Sequence, residues 1–110
     1  MNWLDEIEME MRRGMEAERE GNAGKVRTAA RRAVGFAVKE YQKDPGKKQY
    51  GADVMKQLRG IAGDDSLPVE VREAARRLQS HIAQDFTSPS HQPLSDARVI
   101  IDFIKRLRTS

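Results

Sequence analysis

The sequence predicts an all-α domain, and three observations carry that prediction. Strand-forming runs are scarce and aromatics few, while Ala, Glu, Arg, Lys, Leu and Met are abundant. Apolar residues recur at helical spacing in separate segments. Turn and capping residues stand between those segments: Gly21-Asn22, Asp44-Pro45-Gly46, Gly63 followed by Asp64-Asp65-Ser66, and the proline-containing run DFTSPSHQPL. At 110 residues the chain reads as one domain, 1–110, large enough to fold without staples.

The first helix is expected over about 3–20. Its seam is Leu4, Ile7, Met11 and Met15, and acids fill its first turns, where they complement the helix dipole. Gly21-Asn22 stops it, and Asn22 can cap the next helix, so the two form an antiparallel hairpin. The second helix, over 23–41, is the central one. Val26, Ala29, Ala30, Ala33, Val34, Ala37, Val38 and Tyr41 share one broad face, whose small residues let other helices approach its backbone. Lys25, Arg27, Arg31, Arg32 and Lys39 fall outside that face. The segment QKDPGKKQYG reads as an exposed basic loop.

A third helix is expected over about 52–62, with Val54, Met55, Leu58, Ile61 and Ala62 inward and Gly63 ending it. Asp64-Asp65-Ser66 reads as the next capping cluster and Pro68 as a first-turn residue of the fourth helix. That helix carries the stripe Val71, Ala74, Ala75, Leu78 and Ile82 and a pair four residues apart, Glu73 with Arg77. Residues 85–94 form a long irregular connection. Ser95 and Asp96 can cap a fifth helix running to about Arg108. Ala97, Ile100, Ile101, Ile104 and Leu107 face inward, and Val99 and Phe103 are left over for another surface.

The chain has no cysteine, which removes disulfides, thiol catalysis and thiolate-held metals. No apolar run approaches the ~18 residues of a membrane span, and the acidic start NWLDEIEMEM is unlike a signal peptide, so a soluble, cytoplasmic protein is expected. The net charge of +3 is unevenly spread. Residues 1–20 hold seven acids against three arginines, a balance of −4, which leaves +7 for the remainder. Complementarity between an acidic first helix and a basic body is one reading of this asymmetry. The other is anion binding: residues 23–48 hold eight cations against Glu40 and Asp44, +6 over 26 residues, enough to attract a phosphate backbone if one face carries them. Of the aromatics, only Phe36, Tyr41 and Tyr50 lie close in sequence, and Tyr41 reads as core. Trp3 closes the end of the bundle or anchors a dimer. The two histidines make no metal site, and no metal or cofactor is expected.

With the helices in this order, the chain resembles a HEPN domain, the nucleotide-binding family shared by higher eukaryotes and prokaryotes. The resemblance rests on the helical hairpin with AARRAVGFAVKEY in its second helix, the shorter third helix, LPVEVREAARRLQSHI, the proline-containing loop and SDARVIIDFIKRL. It implies a helical bundle, often a homodimer, in a family that includes metal-independent endoribonucleases and noncatalytic partners of nucleotidyltransferases. The ribonuclease members carry an arginine, four to six residues and then a histidine near the junction of the last two main helices. Arg76, then RLQS, then His81 meets that spacing, while Arg77 stands where the family has Asn, Asp or His. In that role His81 would exchange a proton with a ribose hydroxyl or leaving oxygen and Arg76 would hold phosphate charge. On an unbroken helix the two lie ~140° apart around the axis. His81 reads otherwise as a solvated or capping histidine, and His91 as surface.

Together these residues give a HEPN-like five-helix bundle with a noncatalytic function. The module is expected to bind nucleotide or RNA, through Lys25, Arg27, Arg31, Arg32 and Arg77, and/or a protein partner such as a nucleotidyltransferase, and to form a homodimer. Two alternatives stay open: a toxin-type, metal-independent endoribonuclease using Arg76 and His81, and a purely structural interaction protein with no ligand.

Overall fold

The structure is a computed structural model and describes residues 2–80 and 92–109. Five α-helices follow in order: α1 (Trp3–Arg19), α2 (Ala23–Tyr41), α3 (Val54–Ala62), α4 (Val69–Gln79) and α5 (Pro93–Thr109), with no strand among the described residues. The all-α, five-helix reading holds. His81, Ile82, His91 and the connection over 81–91 lie outside the described residues.

α1 and α2 form the expected hairpin. Gly21 adopts φ +72° and its N–H bonds the Glu18 carbonyl at 3.0 Å, while the Asn22 N–H bonds the Ala17 carbonyl at 2.9 Å, so the last turn of α1 is closed by a left-handed residue. Asn22 then turns from stop to start, its side chain accepting the Lys25 N–H at 3.0 Å. Asn2 does the same for α1 through the Asp5 N–H.

α2 touches every other helix. Ala30, Ala33 and Ala37 are fully enclosed, and Ile7, Leu58, Leu78, Ile100 and Ile101 pack with them into one core. Small residues on the central helix and large ones on its neighbours let the four outer helices share a single axis at close range.

Several elements differ from the sequence expectation. The buried seam of α1 is Ile7, Glu10, Met11, Gly14 and Ala17, while Leu4 (41 %) and Met15 (45 %) stand exposed. The seam is rotated because Gly14 forms a notch that receives Leu94 of α5. α5 itself begins at Pro93, two residues before the expected Ser95 cap, since proline's fixed φ suits a first helical position. α3 starts at Val54 behind an Asp53 cap. Pro68 precedes α4 as its N-cap instead of lying in its first turn. Glu73 pairs with Arg76 at 2.7 Å, because Arg77 reaches across to Asp96. No helix among the described residues is long and apolar enough to cross a membrane.

The Gly14 notch gives a first prediction. A Cβ at Gly14 would stand 2.5 Å from Leu94 Cδ2. Gly14→Ala gains about 1 kcal/mol of helix propensity but displaces Leu94, an overpacking cost of about 1–3 kcal/mol, so a net loss of about 1 kcal/mol is expected. In a Leu94→Ala background the same change becomes stabilising. Thermal melts of the four proteins in that cycle measure both values.

The ion pairs at the edges of α1 follow the charge asymmetry in part. Arg98 of α5 holds Glu8 with two bonds, at 2.8 and 3.2 Å, while Glu10 meets Arg13 at 3.1 Å and Arg32 of α2 at 3.9 Å. The basic loop after α2 is less free than its composition suggests. Lys48 bonds Asp64 at 2.8 Å, Lys43 bonds Glu40 at 3.0 Å, and Lys47 lies 5.9 Å above the Tyr41 ring. Gln42 closes the loop by accepting the Tyr50 N–H and donating to the Gly51 carbonyl.

Candidate functional site

α4 ends at Gln79, and its last turn leaves carbonyl oxygens without intrahelical partners at the negative end of the helix dipole. Two arginines of α2 meet them. Arg31 Nε donates to the Leu78 carbonyl at 2.8 Å and its Nη2 to the Ser80 carbonyl at 3.0 Å; Arg27 Nη1 donates to the same Ser80 oxygen at 2.8 Å. These two residues stand four apart on α2, at the edge of its apolar face, which is why both reach one target. Arg27 is only 5 % exposed, so a residue expected outside the core face lies within it.

A third guanidinium joins from α4 itself. Arg77 Nε and Nη2 donate to both oxygens of Asp96, at 2.9 to 3.2 Å, a bidentate pair that ties α4 to the first turn of α5. Asp96 is buried and is the carboxylate hydrogen-bonded at this corner. Its bonds to Arg77 raise the Arg77 pKa, while burial lowers that of Arg27, with the Asp96 charge opposing. Burial likewise lowers the Arg31 pKa, and the nearby Arg27 charge adds to the effect. Two cations thus sit close enough to repel each other in a partly dehydrated corner.

Among the described residues, three guanidiniums meet one hydrogen-bonded carboxylate at this corner. Each guanidinium carries five N–H donors in a fixed plane. Among the described residues neither Arg31 Nη1 nor Arg77 Nη1 makes a hydrogen bond, so both retain donors. The arrangement can cap α4 and accept an oxyanion at once.

Of the residues singled out in the sequence, the structure gathers Arg27, Arg31 and Arg77. It separates Lys25 and Arg32, which are exposed beside the groove between α1 and α2. Arg76 points away from Asp96 into its pair with Glu73, and its backbone carbonyl accepts the Ser80 hydroxyl at 3.2 Å. His81, the other member of the Arg76 spacing, lies outside the described residues. No group of carboxylates and histidines among the described residues is disposed to hold a metal. Asp96, expected as a cap of α5, is instead bonded by Arg77. Nothing in local spacing distinguishes those roles, since both place an acid in the first turn of a helix.

No family model matches the chain, and no curated protein or solved structure matches it.

Proposed function

We propose that the chain is a noncatalytic helical module that takes up the phosphate groups of a nucleotide or RNA at the carboxyl end of α4. The observation that supports this reading is the convergence of Arg27, Arg31 and Arg77, from two helices, on one corner where their planes are fixed by backbone carbonyls and Asp96. A phosphate meeting preset guanidinium donors loses less entropy than one that must organise flexible lysines. A protein partner such as a nucleotidyltransferase is the second half of the proposal, and it rests on the HEPN resemblance. The helix order, with its alanine-rich central α2, is what supports that resemblance.

The test is fluorescence anisotropy with a nucleoside triphosphate and with a mixed-sequence single-stranded RNA, in EDTA, across a salt series. The expected result is saturable binding whose affinity falls steeply with salt. Arg31→Gln, checked for helicity by circular dichroism, is expected to weaken it by about tenfold, the scale of one lost charge-assisted contact. Absence of binding at low salt overturns the reading. A denaturing gel of the same RNA, beside His81→Ala, covers the catalytic alternative: cleavage by the wild type alone replaces a binding module with a ribonuclease.

A further inference from the structure

One residue in the buried seam of α1 is not there for packing. Glu10 shares that seam with Ile7, Met11 and Gly14, and only 7 % of its side chain is exposed. Dehydrating a carboxylate costs more than contacts with exposed arginines return, and an apolar side chain of similar size would fill the seam as well or better. Its partners also leave it half used. Arg13 Nη1 donates to Oε2 at 3.1 Å, and Arg32 of α2 approaches the same oxygen at 3.9 Å. Among the described residues Oε1 accepts no hydrogen bond, and it is not sealed in by its neighbours. It opens on the groove of about 320 Å³ between α1 and α2, a volume suited to a small molecule. Three carboxylates and three cations line this groove, which runs from Glu10 and Arg32 over the buried Ala29 toward the hairpin turn.

We infer that the groove binds a free α-amino acid with a neutral polar side chain, its ammonium on Glu10 and its carboxylate on Arg13 and Arg32. An α-amino acid carries its two charges on either side of a single carbon. Here the open acceptor and the two guanidiniums are neighbours across a single carboxyl group. The ammonium brings three donors to Oε1, and the ligand carboxylate meets guanidinium N–H groups that Glu10 does not occupy. A phosphate would meet the Glu10 charge head-on, which separates this groove from the arginine corner, and no residue of that corner lines it. A metal ion does not fit either, since no group of carboxylates and histidines among the described residues is disposed to hold one. The equal numbers of acids and cations favour a ligand without net charge. Beyond the two charged ends the side chain lies over Ala29, where Glu16 can accept from an amide N–H and Lys25 can donate to its carbonyl. Neither Glu16 nor Lys25 is engaged in an ion pair among the described residues.

Isothermal titration of the full chain with L-glutamine tests this, beside N-acetyl-L-glutamine and L-glutaminamide, which each lack one charged end. L-Glutamine is expected to bind with a dissociation constant of about 0.1–1 mM, the range open to about ten non-hydrogen atoms in an open groove. Each blocked form is expected to bind at least about tenfold more weakly, the scale of one lost charge-assisted contact. Glu10→Gln and Arg32→Gln are each expected to weaken L-glutamine by the same factor. Glu10→Met separates a ligand role from a structural one: binding is lost while the melting temperature, followed by circular dichroism, holds or rises, because the seam no longer buries a charge. Should Glu10→Met fail to fold, Arg32→Gln, on an exposed side chain, carries the test. The absence of saturable binding up to about 10 mM L-glutamine overturns the inference. So do blocked forms that bind as well as L-glutamine, and binding that survives Glu10→Met or Arg32→Gln undiminished. Phosphate binding at the arginine corner uses none of these residues, so failure there and failure here are separate results.

Discussion

Ile100→Ala is expected to lower the unfolding free energy by about 3–4 kcal/mol, within the range measured for truncating a fully buried aliphatic side chain. Ile100 has no exposure and sits where α5 meets α2 and α4. It also lines an apolar slot of about 20 Å³ bounded by Val38, Val71 and Ile104. The new cavity opens into that slot, so the side chains around it have less to close upon than at a tightly packed site. Cavity cost rises by roughly 24 cal/mol per Å³, which places this site in the upper half of the range. A domain of this size has about 5–15 kcal/mol in total, so the midpoint of thermal unfolding should fall by on the order of 15 °C. Urea denaturation at neutral pH, with the slope compared between variant and wild type, measures it; a loss below about 1 kcal/mol would show that α5 is not part of the central core.

The core was legible because it is repetitive. Alanines at helical spacing on α2 dictate close helix approach, and Gly21-Asn22 dictates a hairpin whatever the partners are. The rotation of α1 was not, since Met15 and Gly14 are equally compatible with a seam until Leu94 is known to fill the notch. That information lies 80 positions away in sequence. The basic character of α2 was legible as well, but its division was not. Arg27 and Arg31 differ from Lys25 and Arg32 only by where the end of α4 arrives. Composition counts all four alike; tertiary structure sends two to backbone carbonyls and two to solvent. The two adjacent lysines of the loop, Lys47 and Lys48, were similarly indistinguishable, though Lys48 is held by Asp64 and Lys47 lies over the Tyr41 ring.

Asp64 gives the second large effect. The sequence places it in a capping cluster, yet its carboxylate accepts from Lys48 Nζ at 2.8 Å on both oxygens, from Tyr50 Oη at 2.6 Å, and from the Ser66 hydroxyl and N–H at 2.6 and 3.0 Å. The loop after α2 is thereby fastened to the turn between α3 and α4. Those bonds, with Lys48 first, hold the Asp64 pKa far below the usual carboxylate range against the opposing effect of burial. Asp64→Ala leaves the Tyr50 hydroxyl and Lys48 to find water. Because Lys48 is more than half exposed, solvent screening discounts its share, and a loss of about 2–3 kcal/mol is expected. A carboxyl with a depressed folded pKa contributes fully above its unfolded pKa of about 3.9 and loses that contribution as pH falls toward the folded value. The gap between wild type and Asp64→Ala should therefore be constant through neutral pH and narrow below about pH 4. Tyr50 sets the other limit. Burial first, and then its bond to Asp64, raise its pKa above the ordinary phenol value, so its contribution is complete below about pH 10 and declines above it in both proteins. Urea titrations of the two proteins from pH 2 to pH 8 decide the matter. A gap that persists undiminished at the acid end would mean that Asp64 acts through shape and not through its charge.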